Sequence, residues 1–158
     1  MWQIDVPITI TARLGHATLP IAAILRLMPD ATRARVGVCL DTCHLLASGY
    51  DICNEQGYRD TFSRFDEVIG FDRLKVFHLN DSKKPCSSRV DRHEHIGRGC
   101  IGLEPFRRLV NDPRFDHLPM VIETEKTETR GKLRIVPDPL DVMNLETLRG
   151  LRCDQRSG

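Results

Sequence analysis

Apolar residues recur along the chain in two alternating rhythms, and the alternation outlines the architecture. Trp2, Ile4, Val6, Ile8 and Ile10 fall at every second position, the period of a strand with one buried face. Pro7 interrupts the backbone donors of that run, which places the strand at a sheet edge. The stretch TLPIAAILRLM, Thr18 to about Met28, reads as a helix with Thr18 at its N-cap and Pro20 in its first turn. VGVCL follows as a short buried strand carrying Val36, Val38 and Leu40, and a polar turn region comes after it. Phe62, Phe65 and Ile69 have helical spacing within DTFSRFDEVI. KVFHL is the next strand, and an irregular loop runs from Asn80 to about Gly102. Loops that long are uncommon in compact domains and are often functional. LEPFRRLV is helical, PMVIE is a strand, TEKTETRGKLRIVPDP is an aperiodic loop, and DPLDVMNLETLRGL is a helix with an aspartate at its start.

Strand and helix therefore alternate four times, the order of βαβ units on a parallel sheet. No glycine-rich dinucleotide or P-loop pattern opens any helix, so nucleotide binding of that kind has no support. Four such units make half of an eight-stranded barrel, where active sites gather at the C-terminal ends of the strands. Asp41, His78 and Glu123 each stand at the end of an expected strand.

Composition narrows the class. The 158 residues suffice for one domain with a real core, and 41% hydrophobic with 28% charged residues suits a globular protein. A net charge of +1 supplies no global attraction to nucleic acid or membrane, so such a partner must meet a local patch. The six cysteines (Cys39, Cys43, Cys53, Cys86, Cys100, Cys153) form no CxxC pair and read as reduced thiols, with Cys39 in the core. The chain has neither a signal-type start nor an apolar run near 18 residues, so the expectation is a soluble, cytoplasmic protein without a membrane partner.

The chemistry concentrates in a few places. Asp41 and His44 follow one strand, His78 ends the next, Asp91 and His93 lie in the long loop, and Glu123 is on the last strand. Singly, each reads as a structural histidine or a helix cap. Together, at successive strand mouths, carboxylates and imidazoles suit a zinc cluster, and manganese or iron less well. His16, His95 and His117 lack this placement. The loop SKKPCSSRVDRHEHIGRG carries Lys83, Lys84, Arg89, Arg92 and Arg98 against Asp91 and Glu94. Beside bound metal it would draw a phosphate-bearing substrate; the alternative is a solvated loop.

The motifs GVCLDTCHLLASGYD, FHLNDSKKPCSSRVDRHEHIGRGCIG and MVIETEK, in this order, closely resemble the endonuclease IV family of apurinic/apyrimidinic endonucleases. The resemblance runs from about Leu14 to Leu151, with residues 1–13 divergent. It implies a (β/α)8 TIM barrel of the xylose-isomerase-like kind, here a single partial domain, 1–158, of about four βα units: the C-terminal half of a truncated barrel. The implied function is zinc-dependent DNA repair, hydrolysis of the phosphodiester 5′ to abasic sites in double-stranded DNA. His44, Asp91 and His93 look like the ligands of one zinc. Asp41, His78 and Glu123 look like those of a second, and carry the catalytic role. Arg89, with Lys83 and Arg92, would hold the DNA backbone.

The family has three zincs and about four further βα units ahead of the first strand here. Two of its histidines have no counterpart, and only Asp5 falls near the position of its bridging glutamate. About two zincs are therefore expected, from three or four protein ligands each. The chain is expected either to self-associate or to be completed by a missing N-terminal half. Two alternatives stand: a non-catalytic metal- or DNA-binding remnant, and a metal-dependent sugar isomerase or epimerase on a related barrel. The basic SRVDRH loop has no obvious use with a neutral sugar.

Overall fold

A computed structural model describes residues 8–11, 18–127 and 137–153. In chain order these form β1 (Ile8–Thr11), α1 (Thr18–Leu27), α2 (Asp30–Arg33), β2 (Val36–Asp41), α3 (Thr42–Ala47) and α4 (Glu55–Val68). A short 3₁₀ turn, Phe71–Arg73, leads into β3 (Leu74–His78), then β4 (Asp81–Ser82), β5 (His93–Glu94), α5 (Leu103–Val110), β6 (Met120–Val121) and α6 (Pro139–Leu151). The main sheet has the order β1-β2-β3-β6 with every pairing parallel. The expected βαβ alternation is present, and among the described residues β1 is at one edge of the sheet. Pro7 itself, Asp5 and His16 lie outside the described residues.

Every residue of β2 is buried, because the strand is flanked in the sheet by β1 and β3 and its apolar run is covered on both faces. Above it, Phe62 of α4, Phe77 of β3 and Phe115 are fully buried, with ring centroids 5.0–6.0 Å apart. Tyr58 of α4 donates its hydroxyl to Asp112 Oδ2 at 3.0 Å, and Arg114 Nε donates to Asp112 Oδ1 at 2.8 Å. The Arg114 guanidinium also lies 5.1 Å from the Phe115 ring centroid, so one cation closes the aromatic cluster.

Four local readings change. Thr18 is the first residue of α1 rather than its cap. The polar turn after β2 contains α3, a helix too short for its period to show, which buries Leu45, Leu46 and Ala47. α4 begins at Glu55 rather than Asp60, because Asn54 caps it by accepting from Gly57 N at 2.8 Å. The long loop holds a two-residue antiparallel ladder between β4 and β5.

β2 and β3 do not run in simple register. Val38 pairs with Leu74 but Cys39 pairs with Val76, so Lys75 is an extra residue on β3. Gly37 accommodates it: a Cβ there would meet Lys75 Cγ at 2.2 Å. Beyond the shift, Asp41 pairs with His78 and His78 with Val121. Two of the expected ligands thus end level with one another at the C-terminal edge of the sheet.

Candidate metal centre

Asp41 is both the last residue of β2 and the N-cap of α3. Its Oδ1 accepts from Cys43 N at 2.8 Å and His44 N at 3.1 Å, which satisfies donors that the first helical turn leaves unpaired. That cap turns His44 toward the sheet edge. Asp41 Oδ2 faces the cluster, 3.8 Å from His78 Nδ1 and 3.7 Å from His93 Nε2. The cap and ligand readings of this aspartate are therefore compatible, one oxygen for each.

Six side chains expected at the site come together in two sets. In the first, Asp91 Oδ2 lies 3.1 Å from His44 Nε2 and Asp91 Oδ1 lies 3.2 Å from His93 Nε2. In the second, His78 Nδ1 lies 2.9 Å from Glu123 Oε2 and Asp41 completes the group. Within each set one ligand atom per residue falls within 4.8 Å of the others. Glu123 stands two residues past the end of β6, rather than on the strand.

The donor set fits a divalent cation. His44 Nε2 and His93 Nε2 are buried and make no hydrogen bond, despite their closeness to Asp91. Buried polar atoms without partners are costly, and lone pairs converging on a cation would remove that cost. His93 Nδ1 lies 3.1 Å from the Glu123 carbonyl, which can only accept, so Nδ1 carries the proton and Nε2 presents its lone pair. Cys43 forms a third close group with Asp41 and His93. Burial pushes its thiol up, and its Sγ donates to the Arg92 carbonyl at 3.6 Å.

A family model described as xylose isomerase-like TIM barrel matches residues 14–144. The chain belongs to that family. Curated relatives sharpen the likeness within it. This family member is 51% identical over 138 residues to a protein named probable endonuclease 4 from Chloroflexus aurantiacus, covering 87% of the chain and 45% of the relative. A protein of the same name from Geobacter sulfurreducens is 52% identical over 140 residues, covering 87% and 43% respectively. The crystal structure of endonuclease IV from Thermus thermophilus superposes with a TM-score of 0.65 at 33% identity, over 82% of this chain and 42% of that one. The resemblance in the three motifs is thus borne out, and the chain spans less than half the length of these relatives.

The barrel family member carries two further polar residues at the site that strand-end reasoning passes over. Asn80, two residues past the end of β3, and Asp81, the first residue of β4, are fully buried. Asp81 organises the long loop: its Oδ1 accepts from Ser82 N and Ile101 N, and its Oδ2 from Gly97 N and Gly99 N, all at 2.7–3.0 Å. Gly99 passes so close that a Cβ would meet Ser82 O at 2.4 Å. Two polar residues immediately after the expected strand KVFHL were the available signal. Their partners lie too far along the chain to be read there.

The basic residues are on the surface of the same loop. Lys83, Lys84, Arg89, Arg92 and Arg98 are all exposed. Lys83 Nζ lies 3.1 Å from Glu125 Oε2, and Arg92 Nη1 donates to the Asp91 carbonyl at 2.9 Å. Arg89 has a positive φ of 56°, and its N–H donates to Ala47 O at 2.9 Å, which ties the loop to the end of α3. His95 Nδ1 lies 3.0 Å from Asn144 Nδ2, and His117 is exposed and belongs to neither ligand set. All six cysteines are free thiols. Among the described residues no helix is long and apolar enough to cross a membrane.

Proposed function

We propose that this chain carries the zinc-binding part of an apurinic/apyrimidinic endonuclease, which hydrolyses the DNA phosphodiester 5′ to an abasic site. The observation that supports it most is the convergence of Asp41, His44, His78, Asp91, His93 and Glu123 at one sheet edge, beside an exposed basic loop. His44, Asp91 and His93 would hold one zinc; Asp41, His78 and Glu123 would hold a second. Bound there, zinc lowers the pKa of water, polarises phosphoryl oxygens and stabilises a leaving oxygen.

The chain's own groups do the rest. Asp41 and Glu123 bring negative charge that balances the cations, and the His93 Nδ1–H bond to Glu123 O holds that imidazole in the ligating tautomer. Lys83, Arg89 and Arg92 bind the phosphates flanking the lesion. The abasic nucleotide turns out of the duplex toward the ligands, which costs least where no base is paired. A non-catalytic metal- or DNA-binding role is the second reading, because the same two ligand sets and exposed basic loop would serve binding without the reaction.

The deciding experiment combines elemental analysis with incision of a duplex bearing one abasic site, for the chain alone and for a form extended at its N-terminus by the rest of a barrel. Up to about two zincs per chain are expected from the two ligand sets, with 5′ incision in the extended form. Three tightly held zincs in the chain alone would overturn the two-site assignment. Zinc without incision in either form would favour the second reading.

A further inference from the structure

Asn80 uses every polar atom it has. Its N–H donates to Thr42 Oγ1 at 2.9 Å, and its carbonyl accepts from the same hydroxyl at 2.6 Å. Its Nδ2 donates to Asp41 Oδ2 at 2.7 Å, and its Oδ1 accepts from Glu123 N at 2.8 Å. One buried amide therefore ties the end of β2, the end of β3 and the segment beyond β6.

The consequence lies in which lone pairs it leaves. Asp41 Oδ1 is engaged in capping α3, so Oδ2 is the oxygen available to a cation. Asn80 occupies one side of Oδ2 and fixes the carboxylate plane, leaving the remaining lone pair among the histidines. Glu123 has the opposite difficulty: it lies beyond the ladder of β6, where no strand partner sets its backbone. The Asn80 carbonyl oxygen takes the place of that partner. Only a carboxamide of this length offers a donor to an acceptor-only carboxylate and an acceptor to an N–H at once. Aspartate lacks the donor, and serine reaches neither neighbour.

We propose that Asn80 is a positioning residue that sets the spacing of Asp41 and Glu123 for a divalent cation. This rests on the reading of Asp41, His78 and Glu123 as one ligand set, and the test separates the two. The metal-free full-length chain is titrated with Co²⁺ alone, following the visible absorption of bound cobalt below the melting transition of each variant. Glu123→Gln tests the ligand set, and Asn80→Asp tests the positioning.

Asn80→Asp should weaken the cobalt class that Glu123→Gln weakens by about 10- to 100-fold, the usual effect of losing an outer hydrogen-bond partner. It should also change that class's absorption band. Residual binding by the other class should persist, and His44→Ala should abolish it. If Glu123→Gln weakens cobalt binding and Asn80→Asp matches wild type within about threefold, the positioning role is overturned while the ligand set stands. If Glu123→Gln changes nothing, the ligand set itself falls and the proposal with it. Should Asn80→Asp not fold, amide hydrogen exchange of Glu123 in metal-free Asn80→Ser decides. Exchange faster than wild type supports the tie, and unchanged protection overturns it.

Discussion

Asp41 shows how few residue types can occupy this site. Both of its oxygens face donors: Cys43 and His44 amides on one side, the Asn80 amide on the other. A carboxylate accepts at both ends, whereas asparagine must aim its NH₂ at one set of donors whichever way it turns. Asp41→Asn should therefore destabilise the metal-free chain by about 1–3 kcal/mol, the cost of a buried unsatisfied group. Chemical denaturation would show it, and an unchanged midpoint would refute the two-sided arrangement. At the other end of the sheet, burial alone would raise Asp112, but bonds from Arg114 and Tyr58 outweigh it and hold the carboxyl below the usual range. A depressed carboxylate contributes stability above its unfolded pKa, and loses it as pH falls through the lower folded value. Melting temperature should drop on acidification below the ordinary carboxylate range, and Asp112→Asn should flatten that part of the profile.

At the scale of elements, the loop that carries the proposed ligands Asp91 and His93 depends on Asp81 more than on regular structure. Four backbone N–H groups converge on this carboxylate from Ser82, Gly97, Gly99 and Ile101, bringing both ends of the loop together around Asp91 and His93. Asp81→Asn would turn an NH₂ group toward N–H donors. It should cost about 1–3 kcal/mol and weaken metal binding at the His44–Asp91–His93 set, although Asp81 touches none of those ligands. Isothermal titration with zinc beside a thermal melt checks both; full zinc affinity would show that the loop holds its shape without this acceptor. The extra residue Lys75 acts at the same scale. Without its shift, Phe77 instead of His78 would stand opposite Asp41, and a one-residue slip sends side chains to the other face.

For the whole molecule, the sheet edges matter most. Among the described residues β1 and β6 each pair with one neighbour, and β6 exposes Val121. Closed barrels abolish such edges, whereas open parallel ones invite pairing with another chain. The chain expressed by itself should sediment as an associated species, and addition of a complementary half-barrel should compete with that association. A monomer with a cooperative melt would contradict this. The exposed basic loop bears on the whole surface too. If the proposed function holds, removing Lys83 or Arg92 should weaken binding to an abasic duplex across sequences and lower its salt slope by about 1, as expected for one lost phosphate contact.

Much of this was legible one residue at a time. The βαβ order follows from apolar periods that depend on near neighbours, and Asp41 and His78 stand out because a polar residue ending a buried strand is conspicuous. Asp138 could be read as a helix start for the same reason: its side chain accepts from Leu140 N, two residues away. Other features have no local signature. α3 is six residues long and shorter than two helical turns, and the first turn of α4 brings Tyr58 as its only apolar side chain, beside Gly57. The Lys75 shift exists only once β2 and β3 pair. Asn80 meets Asp41 and Glu123 across separations of 39 and 43 residues, and nothing in its immediate neighbours marks it as their link. Ligand types are thus determined by side-chain chemistry, which the sequence states directly. Their spacing depends on register and on buried hydrogen bonds between distant segments, and those arise only when the chain folds.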